Sequence, residues 1–157
     1  DTKAFHNSVK RKGPSGNIPL KYAEVLRRTV DWVKCPQVTE HILWVHGSSF
    51  TSSIAQAVSS LHEQDKEALA TYFVNKDPAN EDVRARFIST IAYQLGRSFP
   101  EVREEIGHVV ARDPAILSLS VPHQLDSLIL KPLAPLLSVP DGAIDSPHHP
   151  VVIILDG

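Results

Sequence analysis

Methionine is absent from the sequence, cysteine occurs once, and no apolar run is longer than the VVIIL of residues 151–155. A lone Cys35 excludes an intrachain disulfide, and no basic segment followed by an apolar stretch opens the chain, so an intracellular, cytoplasmic setting is expected. A run as short as VVIIL is far below the roughly 18 apolar residues of a membrane helix, so no membrane contact is expected. Neither charge is in excess: the formal net charge is −2, and basic residues gather only in HNSVKRKGPSG near the start. Nucleic acid is therefore not an expected partner. The missing methionine, the start at Asp1 and the stop just after VVIIL predict a piece of a longer protein.

What is present suits one core: 157 residues, 42% of them hydrophobic. Residues 1–19 carry Gly13, Pro14, Gly16 and Pro19 among polar residues and are expected to form a flexible arm. From there Tyr22, Leu26, Val30 and Val33 recur at helical spacing, predicting a helix over 20–34 that Pro36 ends. HILWV, 41–45, is short and rich in branched and aromatic side chains, which predicts a buried strand. After Gly47, Ile54, Val58 and Leu61 predict a helix beginning near Ser52, and LATYFV, 69–74, predicts a second strand.

Asn80, Glu81 and Asp82 form the expected start of a helix over 81–97 whose stripe is Val83, Phe87, Ile91 and Leu95. Another helix opens at Pro100, buries Val102, Ile106 and Val109 or Val110, and ends near Asp113 and Pro114. A further helix runs from Ser120 and Pro122 to Ile129 and breaks at Pro132. A polar loop and the strand VVIILDG follow. Apolar strands alternating with helices predict an α/β fold, a parallel sheet with helices on both faces.

Strand, glycine turn and helix is the arrangement that offers free backbone N–H groups to an anion. The complete phosphate loop is G-x-x-x-x-G-K-[ST], where glycines let the backbone wrap the phosphates, the lysine neutralises them and the hydroxyl holds Mg²⁺. Here the turn reads GSSFTSS. Counted from Gly47, the hydroxyl should stand seven residues on, where Ile54 is found; Ser53 and Ser52 come one and two residues early, and no lysine is present. VVIILD has the form of a Walker B strand, whose terminal acid, Asp156, would serve Mg²⁺.

Taken together, VDWV at 30–33, ILWVHG at 42–47, SIAQAV at 53–58, ATYFVNKDP at 70–78, RFISTIAYQLGRSFPEVR at 86–103, DPAIL at 113–117 and VVIILDG at 151–157 make the chain resemble the N-terminal part of NACHT domains in fungal signal-transduction NTPases of the STAND class. Those domains typically carry GAGKSAIAQ in the loop and VIIDALDEC at the acidic strand. The resemblance implies a P-loop NTPase-like, three-layer α/β/α domain over 20–157, truncated after the Walker B strand. It also implies ATP or GTP with Mg²⁺ as ligand, held by Gly47, Ser48, Ser49, Thr51, Ser52 and Ser53, with Ser52 and Asp156 at the metal. The parent would be an intracellular switch whose nucleotide state controls self-association.

This chain departs from that pattern at the second glycine, the lysine, two positions of loop length and the second acid, so weak binding without hydrolysis is expected. A nucleotide-independent interaction scaffold is the alternative. An α/β-hydrolase, in which HG would serve an oxyanion hole, needs a G-x-S-x-G elbow that occurs nowhere in the chain. His148 and His149 lack a nearby third ligand and read as loop residues. Cys35 at a helix end reads as structural, and Arg84, Arg86, Arg97 and Arg103 read as solvent-facing.

Overall fold

The computed structural model describes residues 2–8, 18–35, 39–47, 50–65, 68–74, 83–137 and 151–157. A 3-10 turn at Leu20–Tyr22 leads into α1, Ala23–Lys34; then come α2, Thr51–Gln64, and β1, Leu69–Phe73. Next are α3, Val83–Ser98, and α4, Pro100–Arg112. A 3-10 stretch at Pro114–Ser118 precedes α5, Val121–Leu125, a π-helical stretch at Asp126–Leu130 and α6, Lys131–Leu137; β2, Val152–Asp156, ends the chain. The result is a mostly helical α/β fold around two parallel strands, with Leu69 opposite Val152 and Phe73 opposite Asp156.

Alternation along the strands assigns the two faces. Ala70 and Tyr72 turn toward a core built with Ile88, Ile91 and Leu95 of α3 and Val102 of α4, and the Tyr72 ring meets Phe87 edge-on at 4.9 Å. Val152 and Ile154 turn the other way, onto Val33 of α1 and Ile54 and Val58 of α2. Helices therefore cover both faces, α3 through Phe87, Ile91 and Leu95 and α2 through Ile54 and Val58, while Leu61, expected on the same stripe, is exposed. The inner face of α4 is Val102, fully buried, with Ile106, Val109 and Val110 packed beside it.

HILWV is not a strand. Residues 41–46 have no ladder partner, and Ile42 and Trp44 stand 84% and 80% exposed. An apolar run becomes a strand only where a sheet edge takes up its N–H and C=O groups, and the backbone of 41–46 joins no edge. The outer edge of β1 is closed in another way. Gln94 of α3 accepts from the Thr71 N–H at 3.1 Å and donates to the Thr71 C=O at 2.8 Å, so its amide stands where a neighbouring strand's peptide would. Gln94 also donates to the Thr90 carbonyl at 3.2 Å.

Pro132 does not end its helix either. Proline lacks an N–H and crowds the carbonyl four residues back, and a widened π turn accommodates both. The π-helical stretch Asp126–Leu130 sits immediately upstream, and the helix continues through Leu137 with Pro132 and Leu133 buried. Between α3 and α4 the tight approach falls at Gly96, where an added Cβ would lie 3.3 Å from the Arg103 Cα. The expected cap at Asn80, Glu81 and Asp82 lies outside the described residues.

Residues 2–8 differ from the flexible arm that proline and glycine content predicts. Ala4 and Phe5 are buried, and Phe5 stacks on Tyr93 with ring centroids 6.0 Å apart. The His6 N–H donates to the Thr71 hydroxyl at 3.1 Å, the His6 carbonyl accepts from Gln56 at 3.0 Å, and Glu63 meets the His6 ring at 3.0 Å and Asn7 at 2.8 Å. The hydrogen bond from His6 holds the Glu63 carboxyl below its ordinary 4.5, against the opposing effect of burial, with Asn7 and Arg97 adding to the lowering.

A folded pKa below the unfolded one gives stability that is whole above the unfolded value and lost as pH falls through the folded one. Hydrogen-exchange protection of the His6 amide is therefore expected to be whole above the ordinary carboxylate range and to decline as pH falls through and below it. Constant protection over that range would show that Glu63 does not hold the segment.

Candidate functional site

Ser52 lies in the first turn of α2 and Asp156 at the end of β2, 104 residues away, and the Ser52 hydroxyl donates to Asp156 Oδ1 at 2.9 Å. Packing of α2 against β2 through Ile54, Val58, Val152 and Ile154 sets this meeting. Ser52 and Asp156 are both half-buried. A hydroxyl and a carboxylate at one point form an oxygen donor pair of the kind Mg²⁺ takes, the remaining positions being left to water and phosphate. The residues present fit the ion.

Gly47, five residues before Ser52, has φ of 143°, which favours glycine, and nothing lies within 4 Å of where a Cβ would stand. The glycine is thus required by backbone direction and not by crowding. Thr51 is half-buried, Ser53 is buried, and Ser48 and Ser49 lie outside the described residues. The first intrahelical bond of α2 runs from the Ile54 N–H to the Phe50 carbonyl at 3.0 Å. The N–H groups of Thr51, Ser52 and Ser53 therefore precede the helical ladder at its positive end.

The start of α2 thus brings a helix N-terminus and a hydroxyl–carboxylate pair together. A family model described as Nephrocystin 3, N-terminal, matches residues 26–157 of the chain. The chain belongs to the nephrocystin 3 N-terminal family. No curated protein and no solved structure matches it.

Sequence reading of this nephrocystin 3 N-terminal chain misses one group beside the turn. Phe50, which caps α2, packs on Tyr22 with centroids 4.8 Å apart, and Lys21 Nζ stands 5.0 Å from the Tyr22 centroid. An ammonium and two rings thus gather at the end of α2 where the loop has no lysine of its own. Their sequence separation hides them; the only signal is an aromatic in a loop of small hydroxyl residues.

Arg86, Arg97 and Arg103 are exposed, and the Arg84 side chain, His148 and His149 are outside what is described. Cys35, read from sequence as structural, is exposed at the end of α1. Among the described residues no three His, Cys, Asp or Glu side chains converge on a metal position, and no helix is long and apolar enough to cross a membrane.

Proposed function

We propose that the chain is a NACHT-type, P-loop NTPase-like domain that binds ATP or GTP with Mg²⁺ weakly and without turnover, within an intracellular signalling protein. The observation that carries this reading is the Ser52–Asp156 hydrogen bond: two residues singled out for one metal, far apart in sequence, meet at 2.9 Å. Ser52 and Asp156 would hold the ion, and the α2 N-terminus with Gly47, Ser48, Ser49, Thr51 and Ser53 would face the phosphates. Bound Mg²⁺ would supply charge neutralisation for the phosphate oxygens. The second reading, a scaffold that ignores nucleotide, is favoured by the loop sequence itself, which has no lysine in GSSFTSS.

Affinity separates the two. A helix end offers a charged ligand about 0.3–2 kcal/mol, whereas a micromolar complex needs about 8 kcal/mol. Calorimetric titration with ATP is expected to give a dissociation constant no tighter than about millimolar, near 4 kcal/mol, and to weaken when Mg²⁺ is removed or Asp156 is replaced by alanine. Identical titrations for the native chain and Asp156→Ala, with and without Mg²⁺, would sink the nucleotide reading in favour of the scaffold.

A further inference from the structure

The outer edge of β1 is closed at Thr71 and left open two residues earlier. Thr71 turns its N–H and C=O outward to the Gln94 amide. The Ala68 carbonyl takes the Val152 N–H at 3.1 Å and the Val74 N–H goes to the Asp156 carbonyl at 2.7 Å, so the alternate residues face β2. By that alternation the N–H and C=O of Leu69 point to the same outer edge as those of Thr71. Among the described residues nothing hydrogen-bonds to them.

A guanidinium stands at this open place. Arg97 follows Gln94 by three residues on the same face of α3, and it lines, with Leu69 and Ser98, a cleft of about 370 Å³. Among the described residues Arg97 makes no direct ion pair. The acid of the cleft, Glu63 of α2, already accepts from the His6 ring at 3.0 Å and from Asn7 at 2.8 Å.

We propose that the cleft binds the C-terminal end of a peptide chain, whose last amide groups pair with the Leu69 N–H and C=O as a short added strand and whose terminal carboxylate takes the Arg97 guanidinium. The inference stands apart from nucleotide binding, and its test uses none.

The walls select this chemistry. One donor and one acceptor on a strand edge match a main-chain amide, and a guanidinium beside them matches a carboxylate in two parallel hydrogen bonds. A bare phosphate would use Arg97 and leave Leu69 unpaired. The volume lies near the lower end of small-ligand sites, about 300–1,000 Å³, which suits a chain end and not a folded partner. Glu63 in the same cleft repels a second carboxylate, so a neutral or basic last side chain is favoured over an acidic one.

NMR titration of the full chain with acetyl-Ala-Ala-Lys bearing a free carboxylate tests the site. The Leu69 amide resonance should shift saturably. Affinity should fall roughly tenfold or more when the peptide ends in an amide, or when the protein is Arg97→Gln, the loss expected of a charge-assisted pair. A peptide ending in glutamate should also bind more weakly. Arg97 is exposed, and native hydrogen-exchange protection along α3 verifies that the variant is folded. A Leu69 amide that does not move at millimolar peptide overturns the proposal, as does equal binding of the amidated peptide. Acetate or inorganic phosphate binding as tightly as the peptide overturns it too, because a bare anion cannot pair with the strand edge. Should Arg97→Gln fail to fold, the free and amidated peptides on the native chain decide.

Discussion

A chain whose GSSFTSS turn is rebuilt to full length with Gly-Lys-Ser should bind ATP at least tenfold more tightly than the native one. The native turn keeps a glycine of positive φ, the N-terminus of α2 and the Ser52–Asp156 pair. What it lacks is a cation that travels with the loop and enough backbone to wrap two phosphates. A charge-assisted hydrogen bond in a partly desolvated site contributes about 1.5–3 kcal/mol, and each 1.4 kcal/mol is tenfold in affinity. The lysine alone thus accounts for roughly 10- to 150-fold. Lys21, held over Tyr22, belongs to the 3-10 turn ahead of α1 and does not travel with the loop. Calorimetry on the rebuilt chain measures the gain, and Asp156→Ala in the same background should remove its Mg²⁺ dependence. A rebuilt chain that folds yet gains nothing would mean that the turn does not face phosphate.

Periodicity made the helices and both observed strands legible, because those signals are local: Val83, Phe87, Ile91 and Leu95 lie on one stripe whatever the rest of the chain does. That Ser52 and Asp156 belong together was legible only through the family resemblance, which implies one metal for both; the strand expected before Ser52 is not there, yet the two side chains meet at 2.9 Å. HILWV shows the limit of local reading. Its composition suits a strand, but strand formation depends on a free edge elsewhere, and Trp44 ends up in solvent. The docking of residues 2–8 was hidden by the polar residues around Phe5, whose value depends on Tyr93 and Thr71. Pro132 was read as a break because the π turn that accommodates it leaves no local signature.

Gln94 was equally invisible, and its loss should be the most damaging single change in the fold. Its only sequence signal is a polar side chain three residues after Ile91 on a buried stripe. Thr71 is fully buried, and its outward N–H and C=O are both taken by the Gln94 amide. In Gln94→Leu the side chain keeps its size, but two main-chain groups remain unpaired away from water. At about 1–3 kcal/mol for each, the cost is about 2–6 kcal/mol. For a domain of this size that is a fall of roughly 4–24 °C in the melting temperature. Gln94→Glu separates the two bonds. Its carboxylate can still accept from the Thr71 N–H but faces the Thr71 carbonyl without a proton, so stability should rise as pH falls and the carboxyl protonates to become a donor. Thermal unfolding of Gln94→Leu within about 2 °C of the native chain would show that the amide is not holding the edge of β1. A large fall accompanied by association would instead fit an uncapped strand edge pairing with other chains, the hazard that an amide closing this edge suppresses.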